Sequence, residues 1–118
     1  MFGYATNETP ERLPLPLAIA HQLVERQAAL RKSGALPWLG PDAKSQVTVR
    51  YADGKPVEVT AVVLSTQHAE TVPIEEVRSA VEPLIVRPVL QGHAVAPNLT
   101  LYINPTGRFV TGGPKGDT

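Results

Sequence analysis

The sequence predicts an α+β domain: a small, mostly antiparallel sheet with two helices on one face. Three observations carry this. Two segments repeat apolar residues at helical spacing, about Pro16 to Lys32 and Ile74 to Val86. Between them two strand-like runs flank Asp53-Gly54, a dipeptide suited to the two positive φ angles of a tight hairpin. A further strand-like run, Leu99 to Ile103, follows the second helix.

The elements are justified in order. Met1 to Thr6 has the apolar and aromatic content of a short strand, ended by the turn signal Asn7-Glu8-Thr9-Pro10. In the first helix Leu17, Ala20, Val24 and Ala28 form a stripe, with Leu23, Gln27 and Leu30 beside it. Pro14 and Pro16 suit its start, Arg31 and Lys32 suit the negative end of its dipole, and Gly34 suits the position just beyond. Gly34 to Lys44 reads as a connector. Val47, Val49 and Tyr51 then alternate with Gln46, Thr48 and Arg50. The return strand, about Val57 to Ser65, contains Ala61-Val62-Val63-Leu64, apolar on both faces, so that stretch is expected to be buried on both sides. In the second helix Ile74, Val77, Val81 and Leu84 form the stripe. Pro83 predicts a kink or an early end, and Pro88 marks the last position the helix should reach. Gln91 to Asn98 reads as irregular, and a Gly-rich tail runs from Asn104 to Thr118.

Composition narrows the function classes. The 118 residues suffice for one core and are too few for two. Eleven basic residues balance eleven acidic ones, which argues against nucleic-acid or membrane-surface binding and mildly favours self-association. The chain has no cysteine, so disulfides, thiolate zinc sites and thiol nucleophiles are excluded. It shows no secretory signal and no apolar run long enough to span a membrane, so a cytoplasmic location is expected.

Two segments are candidates for chemistry. Gly107, Gly112, Gly113 and Gly116 surround Arg108 and Lys115, a combination that lets backbone approach a phosphate or ribose beside a cation. It is neither a P-loop nor a dinucleotide fingerprint, and spacing alone fits a surface turn better. In Pro41-Asp42-Ala43-Lys44-Ser45-Gln46, Lys44 can present a point charge to a phosphate, or form a solvated pair with Asp42. His21 reads as a packed histidine beside the first stripe. His68 closes Ser65-Thr66-Gln67-His68, where hydroxyl, amide and imidazole can form a hydrogen-bond network, with no orienting acid identifiable. The three histidines lack zinc-motif spacing, and no metal ligand is assigned. Trp38 reads as an anchor for the connector.

Taken together, MFGYATNET, RKSGALPW, PDAKSQVTVRY with the DGK hairpin, VVLSTQH and INPTGRFVTGGPKGD resemble, in order and spacing, the central region of the methionine adenosyltransferases, or S-adenosylmethionine synthetases. The resemblance implies that residues 1–118 form that central domain, with the family's N- and C-terminal domains absent. It also implies a fold of the family's three-domain kind and dimerisation through flat sheet faces, with itself or with full-length subunits. The family condenses ATP and L-methionine with Mg²⁺ and K⁺: the methionine sulfur attacks the ribose 5′ carbon and expels tripolyphosphate, which is hydrolysed to pyrophosphate and phosphate. By resemblance, Asp42, Ala43 and Lys44 contribute to ATP binding, Lys44 being the catalytic residue that reaches the polyphosphate. Arg108 and Phe109 resemble the pair beside the adenine, with the ring stacking and the backbone reading the base edge. Asp117 resembles an acidic residue near adenosine and methionine. Gly40 stands where the family usually has Arg, which removes a cation beside the nucleotide loop. Since the family's remaining substrate and metal groups lie in its other two domains, the isolated chain is expected to be inactive. Two other readings remain open: a non-catalytic module pairing through its sheet face, and a nucleotide-binding domain of other function.

Overall fold

A computed structural model describes residues 2–116. Helix α1 spans Leu15–Ser33, strand β1 Leu39–Ala52, strand β2 Lys55–His68 and helix α2 Ile74–Val81. A π-helical turn, Glu82–Val86, leads into helix α3, Arg87–Leu90; strand β3 is Val95–Ile103 and a last helical turn, α4, is Gly113–Gly116. The sheet order is β1-β2-β3. The longer ladder, β1 with β2, is antiparallel, and β2 with β3 is parallel, so the α+β sheet is mixed. No helix among the described residues is long and apolar enough to cross a membrane.

Both helical segments pack on one face of the sheet. Ile19 and Leu23 of α1 join Val77, Val81, Ile85 and Val86 over Val59, Val62 and Leu64 of β2, and all of these are essentially buried. Beyond Val62, β2 buries Leu64, Thr66 and His68 at every second position. A register shift lets Val59 share that face: Thr48 pairs with Ala61 but Val49 pairs with Val59. The hairpin tip is as expected, with positive φ at Asp53 (52°) and Gly54 (74°).

Several elements depart from the sequence reading. Residues 2–6 form no strand; Phe2 and Tyr4 are exposed. Apolar content makes a strand only where a neighbour accepts its backbone, and here the N–H of Thr6 donates to the Arg12 carbonyl (3.0 Å) within a turn instead. Glu8 accepts the N–H of Leu15 at the start of α1 (3.2 Å), the Thr6 hydroxyl (3.0 Å) and the Tyr51 hydroxyl of β1. The buried face of α1 is Ala18, Ile19, Leu23 and Gln27, not the expected stripe; Leu17 is 43% exposed. Residues 15–24 are apolar almost all round, so contact with the sheet selects the face. The connector ends early, because β1 begins at Leu39 and takes in Asp42 to Lys44. Pro41 is accommodated because β1 is an edge strand and its register breaks between Leu39 and Ala43. Similarly, β3 begins at Val95 within the stretch read as irregular.

The second helix ends its α segment at Val81 and passes both prolines. Arg87 N–H bonds the carbonyl of Glu82, the five-residue spacing of a π turn, which absorbs Pro83. Pro88 has no N–H for the Leu84 carbonyl, and Arg26 Nε of α1 donates to that oxygen instead (3.0 Å). The helical path therefore continues through Pro88 to Leu90. The open face of the sheet carries Lys44, Gln46, Thr48, Thr100 and Tyr102 around half-buried Ala61 and Val63, so nothing among the described residues buries the apolar run of β2 on its second side.

Two outcomes check this description. Leu23→Ala should lower unfolding free energy by about 2–5 kcal/mol, and Leu17→Ala by less than about 0.5 kcal/mol, in denaturant titrations. The Tyr51–Glu8 contact sets a pH dependence. Partial burial, then the hydrogen bond from Tyr51 to Glu8 and the charge of Glu8, push the Tyr51 hydroxyl up to about 12 from 10.0. Its contribution is therefore complete below pH 10 and is lost as pH rises from 10 towards 12. The Tyr51 hydrogen bond in turn holds Glu8 below its usual range against desolvation, so that contribution is present above 4.5 and is lost at lower pH. Stability measured against pH should lose part of its alkaline fall in Tyr51→Phe.

Candidate functional site

The site lies where β2 ends. Strand β3 stops at Ile103, opposite Leu64, while β2 continues to His68. The peptide groups of β2 beyond Leu64 thus lose their strand partner, and the tail supplies substitutes. Asn104 N–H donates to the Leu64 carbonyl (2.9 Å). Its buried side-chain amide then stands in for a strand residue: Oδ1 accepts the N–H of Thr66 and Nδ2 donates to the Thr66 carbonyl, both at 3.0 Å. Asn104 adopts φ 48°, a conformation Asn tolerates better than most residues. Arg78 of α2 holds the same corner, donating to the carbonyls of Ile103 (3.0 Å) and Asn104 (2.9 Å).

Farther along the tail, the N–H of His68 donates to the carbonyl of Phe109 (2.9 Å), and the N–H of Phe109 donates to Nε2 of His68 (3.1 Å). Gln67 points to the other face. Its Oε1 accepts the N–H of Asp42 (3.2 Å) and its Nε2 donates to the Val110 carbonyl (3.0 Å). Asp42 Oδ2 accepts the N–H of Gly113 (3.0 Å). Beneath, buried Gln27 of α1 donates to the Gly40 carbonyl (2.8 Å) and to Oγ1 of Thr66 (2.9 Å), joining helix, β1 and β2. Thr66, Gln67 and His68 are all hydrogen-bonded, but to separate partners rather than to one another's side chains as the sequence suggests.

This frame presents a groove of about 360 Å³ lined by Lys44, Ser65, Thr106, Arg108, Phe109 and Thr111. Lys44 and Ser65 pair across the β1–β2 ladder, and Lys44 Nζ lies 5.8 Å from the centre of the Phe109 ring, a cation–π distance. A second hollow of about 350 Å³ is lined by Pro41, Asp42, Gln67, Gly112 and Gly113. The close fit there explains two glycines. A Cβ on Gly40 would meet the Gln67 side chain at 2.6 Å, and one on Gly112 would meet Asp42 at 2.9 Å and Gln67 at 3.0 Å. Gln67 thus occupies the space beside residue 40.

Of the residues singled out in the sequence, Lys44, Arg108 and Phe109 come together in one groove, with Asp42 beside it. The Arg108 guanidinium donates to the main-chain carbonyl of Glu70. The N–H of Phe109 is taken by His68 and its carbonyl accepts one bond from the same residue, so what Phe109 mainly offers is a ring face. Ala43 pairs with Thr66 in the ladder, between Asp42 and Lys44. Asp117 lies outside the described residues. His68, Gln67, Asn104 and Gln27 were not picked out as site residues. His68 and Gln67 have one signal in the sequence, the run of polar residues closing an otherwise apolar strand, whereas Asn104 and Gln27 have none, since their shared partner Thr66 lies 38 and 39 positions away.

The donor set bears on the metals. Asp42 is the one carboxylate among the residues lining the two hollows, and one of its oxygens is engaged. No group of three or more His, Cys, Asp or Glu side chains suited to a metal occurs among the described residues. These side chains make no all-protein cage for Mg²⁺, and a lone carboxylate such as Asp42 would hold that ion only together with substrate phosphates and water.

Fold and groove together define a small α+β domain that presents a cation and an aromatic ring side by side at one end of its sheet. The family model of the S-adenosylmethionine synthetase central domain matches residues 1–109, and the chain belongs to that family. The match takes in Lys44, Arg108 and Phe109.

The corner residue gives a test. Asn104→Ala leaves the N–H and C=O of Thr66 without partners in a buried setting, so unfolding free energy should drop by roughly 2–6 kcal/mol in denaturant titrations, at about 1–3 kcal/mol per orphaned group.

Proposed function

We propose that this chain is the nucleotide-contacting central domain of an S-adenosylmethionine synthetase, contributing to the transfer of the adenosyl group of ATP to L-methionine. Membership of the family supports the reaction class. The observation that carries the local assignment is Lys44 Nζ standing over the Phe109 ring within one groove. An aromatic face suits a base, and an ammonium on the same groove suits a polyphosphate.

In the reaction, the methionine sulfur forms a bond to the 5′ carbon while the bond from that carbon to oxygen breaks. The electron pair leaves with tripolyphosphate. Charge therefore grows on the leaving oxygen, and a fixed cation stabilises it more in the transition state than in bound ATP. Lys44 takes this role, leaving the ring of Phe109 when ATP enters. Phe109 stacks on the adenine, Arg108 flanks it, and Asp42 keeps the glycine-rich tail folded beside the phosphates through Gly113. Ala43 contributes through its place between Asp42 and Lys44, and Asp117 approaches adenosine and methionine. Mg²⁺ and K⁺, when bound by the whole enzyme, supply further charge neutralisation. The domain's own share is binding and charge placement, and turnover depends on groups outside it.

The rival reading, a module that pairs through its open sheet face with itself or with other subunits, has less to stand on. That face carries Lys44, Gln46, Thr48 and Thr100 around a narrow apolar strip of Ala61, Val63 and Tyr102.

Titration calorimetry with ATP tests the assignment. Lys44→Ala should weaken binding roughly 10- to 100-fold, the loss of about 1.5–3 kcal/mol from a charged hydrogen bond. Lys32→Ala, at the far end of α1, should leave it unchanged. Equal effects from the two lysines would refute a site at Lys44. S-adenosylmethionine formed by the domain alone above a Lys44→Ala control would refute the dependence on outside groups.

A further inference from the structure

His68 closes β2 and is 2% exposed, and both ring nitrogens are committed. Nε2 lies 3.1 Å from the N–H of Phe109, and Nδ1 lies 3.0 Å from the carbonyl of Ala69. An amide N–H only donates, so Nε2 must hold a lone pair. A carbonyl only accepts, so Nδ1 must hold the proton. The neutral Nδ1–H tautomer is the one that satisfies both. The main-chain bond from His68 N–H to the Phe109 carbonyl, 2.9 Å, closes the other side. A single residue therefore holds Phe109 at both of its peptide groups, and the direction in which the ring leaves the backbone follows from it.

We propose that His68 is a positioning residue for the base: its imidazole sets the Phe109 ring at the height and angle at which an aromatic base stacks on it beside Lys44. This deepens the nucleotide reading above and rests on it. The route is specific. The backbone of Lys44 is carried by the β1–β2 ladder opposite Ser65, and only its ammonium touches Phe109, a contact it gives up when phosphate binds. A change at His68 should therefore act on the base and spare the phosphates. A residue that merely supported the fold would act on both alike.

The experiment uses the full chain, two probes and two variants. ATP carries base and phosphates; inorganic tripolyphosphate carries phosphates alone. His68→Gln places Oε1 where Nε2 accepted the Phe109 N–H. His68→Asn is too short for that contact but keeps a donor near the Ala69 carbonyl. The readout is the ratio of the two dissociation constants, with melting temperature recorded for each protein. Stacking of a base on an aromatic ring is worth about 1–3 kcal/mol. The Asn variant should therefore bind ATP about tenfold more weakly, tripolyphosphate within about twofold of the native chain, and the Gln variant should recover most of the loss. An unchanged ATP affinity in the Asn variant overturns the proposal, as does a parallel fall for both probes. If the Asn variant does not fold, Gln and Phe109→Ala decide: Gln must retain the native preference for ATP over tripolyphosphate while Phe109→Ala loses it, and a Gln variant without that preference overturns the proposal. A native chain that binds tripolyphosphate as tightly as ATP has no base subsite, which overturns this proposal and leaves the phosphate site standing. A native chain that binds neither refutes the nucleotide reading itself, and the role of His68 falls with it.

Discussion

Strand β2 outruns its neighbour, and most of the site follows from that mismatch. A peptide group buried without a partner costs on the order of 1–3 kcal/mol, so the exposed ladder positions beyond Leu64 demand donors and acceptors from elsewhere. Asn104 answers at Thr66 with its side chain, and Phe109 answers at His68 with its main chain. In satisfying β2, the tail is drawn across the end of the sheet, and Phe109 and Arg108 arrive beside Lys44. The candidate binding groove is a consequence of hydrogen-bond completion at the end of one strand.

The layer beneath works in the same way. Gln27 is a polar residue on the buried face of a helix, a position that would be costly if its amide were unpaired. Bonding the Gly40 carbonyl and Thr66 together makes it the link between α1 and the start of the site. Arg26, one residue earlier, supplies the donor that Pro88 lacks. Helix α1 thus serves the sheet through Gln27 and the second helical segment through Arg26. The absence of side chains at Gly40 and Gly112 leaves room for Gln67, whose amide bridges β1 and the tail. At position 40 the space that a side chain would take is filled by the side chain of Gln67.

The two helices, the hairpin and the last strand were legible because their signals are local. Periodicity, Pro14 and Pro16 at a helix start, Gly34 at its end and Asp53-Gly54 at a turn each act over a few residues. Where local pattern and fold differ, one cause recurs. Residues 2–6 looked like a strand and had no ladder to join; α1 was apolar on more than one face; Pro88 looked like a stop until Arg26 supplied the missing donor. Lys44, Arg108 and Phe109 stand out in the sequence as candidates through resemblance, and Arg108 through the glycines near it, whereas His68 and Asn104 do not, since an imidazole or an amide is informative only once its partner is known.

By itself, then, the sequence determined the two helical segments, the hairpin, the last strand and the family, because each rests on short-range pattern or on residue identity in order. Tertiary structure alone decided which face of α1 is buried, how Pro83 and Pro88 are accommodated, and how the tail docks on β2. Those outcomes depend on hydrogen-bond partners and packing surfaces that lie up to 71 positions apart in the chain, as with Asp42 and Gly113, and no local pattern encodes which buried donor will meet which acceptor.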